Sequence, residues 1–197
     1  MTIEAEERPA RKPRADAQRN RERLVDAAKA AFAESGAEVS LEEIARRAGV
    51  GIGTLYRHFP TREAVVAAVY QREVQQIADA AKRLLASEAP GEALHEWMRL
   101  FVDYIATKKV IVSAFGSIPA GAKGLYPSSG LKLIDGVALL VERARAAGDI
   151  RADADPNDIL RALIGFTYGA AGAGWEASAL RLIDILMDGL RTPGRER

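Results

Sequence analysis

Apolar positions along this 197-residue chain recur three and four apart, the period of one helix face. No stretch shows the alternation of a half-buried strand. Leu24, Ala28, Ala31 and Phe32 form one stripe of a helix expected from Asp16 or Ala17 to Ser35, with Gly36 as its stop. Two short amphipathic segments follow. Ser40–Ala48 carries Leu41, Ile44, Ala45 and Ala48 on one face, and Gly51–Phe59 carries Leu55 and Phe59. Gly49 stands between them, where a chain leaving a helix favours positive φ, and Pro60 ends the second segment. Ser40-x-x-Glu43 reads as a capping box, in which Ser40 caps the helix and Glu43 reaches back to the Ser40 amide.

The same period continues towards the carboxy terminus. Thr61 caps a helix expected through Ser87, about 40 Å long at ~1.5 Å per residue, and so suited to connect a head to a body. Further helices are expected over Glu92–Lys109, Val110–Phe115 and Leu131–Ala147, then from Pro156 onwards, and last over the segment holding Leu180 to Leu190. The glycine- and proline-rich stretch 116–130 separates two of them. The fold class expected is all-α, about nine helices: a three-helix head and a helical body. The chain is expected to divide into a disordered basic arm at 1–15, a three-helix head at 16–62, a helical body at 63–192 and a loose tail at 193–197.

Two short helices joined by a glycine turn are the helix-turn-helix pattern. Its outer face carries Thr54, Tyr56, Arg57 and His58. Net charge is only +1, but seven cations face two acids between Arg8 and Arg23. Beside a helix-turn-helix, Arg11, Lys12 and Arg14 fit an arm that follows phosphates or enters a minor groove. Composition narrows the remaining classes. Cysteine is absent and only two histidines occur, His58 and His95, so thiolate chemistry and a His-x-x-x-His metal pair are excluded. We expect no catalytic residue, no metal and no cofactor. No run reaches the ~18 apolar residues of a membrane span, and a cytoplasmic location is expected.

The text Gly-x-Gly-Thr-Leu-Tyr-Arg-His-Phe-Pro-Thr-Arg-Glu, residues 51–63, resembles the DNA-binding segment of the TetR family of transcriptional repressors. Gly53, Thr54, Leu55, Tyr56, His58, Phe59 and Glu63 carry the match, and Arg62 stands where the family most often has lysine. The stretch from Asp158 to Arg191 resembles the carboxy-terminal domain of an SbtR-like subgroup. The resemblance implies a homodimer whose heads bind a palindromic double-stranded operator and whose body takes an inducer, making the chain a ligand-responsive regulator, most often a repressor. By position, Thr54 and Tyr56 would meet phosphates or base edges, His58 and Arg62 would grip the backbone, and Gly53 would allow close approach to the duplex. Arg57 and the helix start at Ser40 are further contacts.

For the body, a pocket for a neutral or hydrophobic effector is expected among His95, Trp97, Met98, Phe101, Tyr104, Phe115, Tyr126, Phe166, Tyr168 and Trp175. Apolar residues in the last two helices exceed what one packed face needs, so Ile159, Leu163, Phe166, Gly169, Leu180, Ile183, Leu186, Met187 and Leu190 are expected to pair two copies. The alternative is a helical protein-interaction module or a helical enzyme that ignores DNA.

Overall fold

The computed structural model describes residues 13–115, 126–169 and 172–192. Among them the chain forms α1 (Pro13–Ser35), a 3₁₀ turn (Gly36–Glu38), α2 (Leu41–Ala48), α3 (Ile52–His58), α4 (Arg62–Ser87), α5 (Pro90–Phe115), α6 (Tyr126–Ala146), α7 (Pro156–Gly169) and α8 (Trp175–Leu190). The architecture is all-α. An antiparallel bridge between Ile150 and Arg191 is its one β-type pairing among the described residues. Eight α-helices are present among the described residues, and the stretch 110–115, expected as a separate piece, continues α5 without a break. No proline or glycine falls between Gly91 and Phe115, so nothing in the chain interrupts that helix. None of the described helices is long and apolar enough to cross a membrane.

The head closes around small contacts. Leu24, Val25, Ala28, Ala31 and Phe32 of α1 are buried, and against them lie Ile44, Ala45 and Ala48 of α2, Leu55 of α3 and Phe59. Ala45 lets α2 approach closely, and a larger side chain there would push the helices apart. Helix α1 begins at Pro13, three residues before the expected start. Arg11 and Lys12 of the basic arm lie outside the described residues, as does the side chain of Arg14.

Helix α4 leaves the head at Thr61, whose Oγ1 accepts the Ala64 amide at 3.2 Å. Its 26 residues span about 39 Å. The first half is buried over a broad arc (Val65, Val66, Ala68, Val69, Tyr70), because α1 covers one side and α5 another. Helix α5 is the centre of the body and touches α4, α6, α7 and α8. Its Trp97 is buried and donates Nε1–H to the Ile77 carbonyl at 2.8 Å, which satisfies the indole inside the core and ties α5 to α4. Where head, rod and body meet, Lys29 of α1 reaches the buried Glu73 of α4 at 2.7 Å, and Thr107 of α5 donates to the same carboxylate at 3.4 Å.

Candidate nucleic-acid interface

The turn between α2 and α3 fixes the geometry of the head. Gly49 adopts φ 65°, ψ 37°, and its amide and the Val50 amide close on the Arg46 and Ala45 carbonyls at 3.1 and 3.0 Å. Helix α3 then starts with Thr54 N–H donating to the Gly51 carbonyl at 2.8 Å. Leu55 and Phe59 turn inward and are buried. The opposite face looks outward: Gly51, Gly53, Tyr56 and Arg57 are exposed, Tyr56 at 46%. Thr54 and His58 are half-buried at its margins. Arg57 is held across this face, its guanidinium donating to the Gly53 carbonyl at 3.2 Å and to Thr54 Oγ1 at 3.3 Å. Thr54, Tyr56, Arg57 and Gly53 are therefore brought together on one surface.

Arg62 is placed otherwise than the sequence suggests. Its Nη1 donates to the Val39 carbonyl at 2.7 Å and its guanidinium lies 5.9 Å from the Phe32 ring centre. Nη2 is enclosed. The side chain ties α4 to the segment before α2 inside the head, because from the first turn of α4 that carbonyl is within its reach. It is a half-buried fixture of the head. Arg21 plays a similar part over Phe59, at 5.2 Å from the ring centre.

Ser40 caps α2 as expected, its Oγ accepting the Glu43 amide at 3.1 Å. The reciprocal half of the box is replaced. The Glu43 carboxylate takes Arg46 in a two-pronged pair at 2.7 and 2.7 Å and Arg47 Nε at 2.7 Å. The Arg46 guanidinium first, and Arg47 after it, hold the Glu43 carboxyl down to about 2. Arg47 also reaches Glu34 at 2.6 Å and so staples α2 to α1. Arg46 stays 73% exposed, and Arg23, exposed as well, donates to the Gly49 carbonyl at 3.4 Å beside the turn into α3. Neither arginine was singled out in the sequence. The available signal was their place, one inside α2 and one on the α1 face that the turn meets.

In the body, a cavity of about 390 Å³ opens between three helices. Phe101, Tyr104, Ile105 and Lys108 line it from α5, Gly130, Leu133 and Ile134 from α6, and Leu160, Ile164 and Tyr168 from α7, with Tyr70 of α4 added. Of the expected pocket residues, Phe101, Tyr104 and Tyr168 are on this wall. Trp97 and Met98 are buried in the core instead. His95 pairs with Asp184 of α8 at 2.8 Å, and Phe166 packs half-buried against the core. Trp175 lines a separate cavity of about 220 Å³, under the Lys109 ammonium at 3.6 Å from its ring centre. The side chains of Phe115 and Tyr126 lie outside what the structure describes.

The expected pairing face also needs correcting. Ile159, Leu163, Ile183, Met187 and Leu190 are buried within the protomer, because α7 and α8 turn their large residues towards α5 and each other. Phe166, Leu180 and Leu186 are half-buried against the same core. The outward stripe consists of Gly165 and Gly169 on α7 and of Leu182, Ile185 and Gly189 on α8, with Ile185 67% exposed. Added Cβ atoms at these three glycines would meet open space.

Known proteins share this arrangement. A family model for bacterial regulatory proteins of the TetR family matches residues 24–69, and one for the carboxy-terminal domain of SbtR-like transcriptional regulators matches residues 89–192. A TetR transcriptional regulator of Streptomyces coelicolor superposes with a TM-score of 0.75 at 38% identity, over 88% of this chain and 99% of that one. A TetR transcription regulatory protein of Mycobacterium vanbaalenii gives 0.76 at 38%, over 91% and 99%. An HTH-type transcriptional regulator of Staphylococcus aureus is 33% identical over 98 residues, 49% of this chain and 51% of that relative. The chain thus spans about half the length of the curated relatives it matches. These relatives are regulators of transcription, not enzymes. The chain belongs to the TetR family of bacterial regulatory proteins.

Proposed function

We propose that the protein is a ligand-responsive transcriptional repressor that binds a palindromic operator as a homodimer and leaves it when a small molecule enters the body. The outward face of α3 carries this reading. Tyr56 and Arg57 are exposed there, Arg57 is braced by Thr54, and the glycines at 51 and 53 leave the backbone open. A Cβ at Gly53 would meet nothing within 4 Å. Packing inside the protomer therefore does not require glycine, whereas a duplex lying close against the helix would. Thr54, Tyr56 and Arg57 contact the duplex, His58 and the α2 start at Ser40 flank it, and the arm with Arg11, Lys12 and Arg14 follows the backbone. Exposed Arg23 and Arg46 add charge at the turn.

A single α3 reaches too few base pairs for selectivity in a genome, so two heads are needed, about 34–36 Å apart or a multiple of that. The stripe of Gly165, Gly169, Leu182, Ile185 and Gly189 supports the pairing: small residues let helices approach, and the exposed Ile185 offers apolar surface for a partner copy. The cavity beside α4 supports the inducer. A ligand that binds better when the heads are misplaced draws the population away from the operator, by its difference in affinity between the two states.

Fluorescence anisotropy with DNA from upstream of the gene tests this. Tyr56→Ala and Arg57→Ala are each expected to weaken binding by about 1–3 kcal/mol. Both are surface changes expected to alter folding stability by less than about 0.5 kcal/mol. Wild-type affinity retained in the double variant would remove α3 from the interface and with it the proposal.

A further inference from the structure

Large apolar side chains of the head are buried or half-buried, with two exceptions among the described residues. These are Ile52, 36% exposed, and Tyr56, one turn further along α3. Four residues apart, they share one face of the helix. Gly51 and Gly53 flank Ile52, and a Cβ added at either would meet nothing within 4 Å. Ile52 thus stands out from a surface that its neighbours leave bare. Isoleucine gains little there from the protomer itself. A branched side chain gives up rotamer freedom in a helix, and one left partly in water forgoes much of its burial. Val50, two residues earlier, is the contrast, since it packs against the core. Resting on the reading of the outer face of α3 as the DNA-binding surface, we propose that Ile52 is a specificity-determining residue that reads one thymine in each half-site through its C5-methyl group.

The base follows from what an aliphatic side chain offers. In the major groove guanine presents N7 and O6, adenine N7 and an amino group, cytosine an amino group, and thymine O4 beside a methyl group. The Ile52 side chain has neither donor nor acceptor. Set against guanine, adenine or cytosine, it strips water from polar atoms and returns no hydrogen bond. Against thymine it covers the methyl group, and two apolar surfaces leave water together. Cytosine, the other pyrimidine, lacks the methyl group and would be left with an amino hydrogen unpaired. The bare backbone at Gly51 and Gly53 allows the close approach that such a contact needs. Gly53 and Arg57 form the next row round the helix, with Arg57 braced on the Gly53 carbonyl and on Thr54 Oγ1. Ile52 therefore adds an apolar contact beside the polar one of Arg57.

A duplex selected by the full-length protein from random-sequence DNA supplies the probe. Replacing thymidine by deoxyuridine, one position at a time and symmetrically in the two half-sites, removes the methyl group and keeps the pairing. By fluorescence anisotropy, one position should weaken wild-type binding about fourfold per half-site and about fifteenfold for both, the effect of one methyl group left in water at each. Ile52→Ala should bind the unmodified duplex more weakly and no longer distinguish it from its deoxyuridine form. Ile52→Gln, put through the same selection, should lose the preference for thymine at that base pair and keep the rest of the site. A selected half-site without thymine, deoxyuridine tolerated at every position, or a penalty that persists undiminished in Ile52→Ala would overturn the role of Ile52 while leaving α3 on the DNA. If no duplex is enriched, the DNA-binding reading itself falls, and Ile52 with it. The wild-type deoxyuridine scan and the Ile52→Gln selection decide the matter even if Ile52→Ala fails to fold.

Discussion

A Cβ at Gly49 would have to be carried at φ 65° and would stand 2.6 Å from the Arg23 Nη2. The arginine tip can swing aside; the backbone cannot change without reorienting α3. Gly49→Ala is therefore expected to cost about 1–2 kcal/mol, the price of a left-handed L-residue, seen as a lower urea midpoint with an unchanged slope. At this scale the head was largely legible. Gly49, Leu55, Phe59 and Ser40 do what their residue types and spacing suggest, since each answers a local backbone or burial requirement. Arg62 and Glu43 were not legible. Both are long polar side chains whose partners depend on what the tertiary fold brings near: the Val39 carbonyl for one, Arg46 and Arg47 for the other.

Among the elements, spacing named α7 and α8 correctly but not which of their two apolar stripes faces outward. The buried stripe (Ile159, Leu163, Ile183, Met187) holds the larger residues, and they fill the space against α5. The outer one is punctuated by glycine and looks weaker in sequence. Two substitutions two residues apart, on opposite faces of α8, separate these roles. Ile185→Glu, on the 67% exposed residue, should shift a dimer to monomer by size-exclusion light scattering with the far-ultraviolet circular dichroism retained. Ile183→Ala, on a fully buried residue, should instead lower the folding stability by about 2–4 kcal/mol. A dimer that survives Ile185→Glu at micromolar concentration would place the interface elsewhere. Helix α5 gives the converse lesson: the sequence reads as two pieces meeting after Lys109, yet with no glycine or proline there the helix runs on to Phe115.

Over the whole molecule, α4 joins the proposed DNA-binding surface of the head to the proposed effector cavity of the body. Tyr70 lines the cavity, and one turn further on Glu73 takes Lys29 of the head and Thr107 of the body. A change at α5 thus has a short, packed route to α1. Coupling of this kind is reciprocal, so operator DNA should weaken effector binding by the same factor as effector weakens operator binding. The central claim, however, is that two copies of α3 read one duplex, and selection from random-sequence DNA tests it most directly. The account predicts enrichment of an inverted repeat with half-site centres about 10–10.5 base pairs apart or a multiple of that. Two chains should bind each duplex, with log affinity falling linearly with log salt by about 0.9 per phosphate contacted. Enrichment of no repeat, or binding that ignores salt, would contradict it.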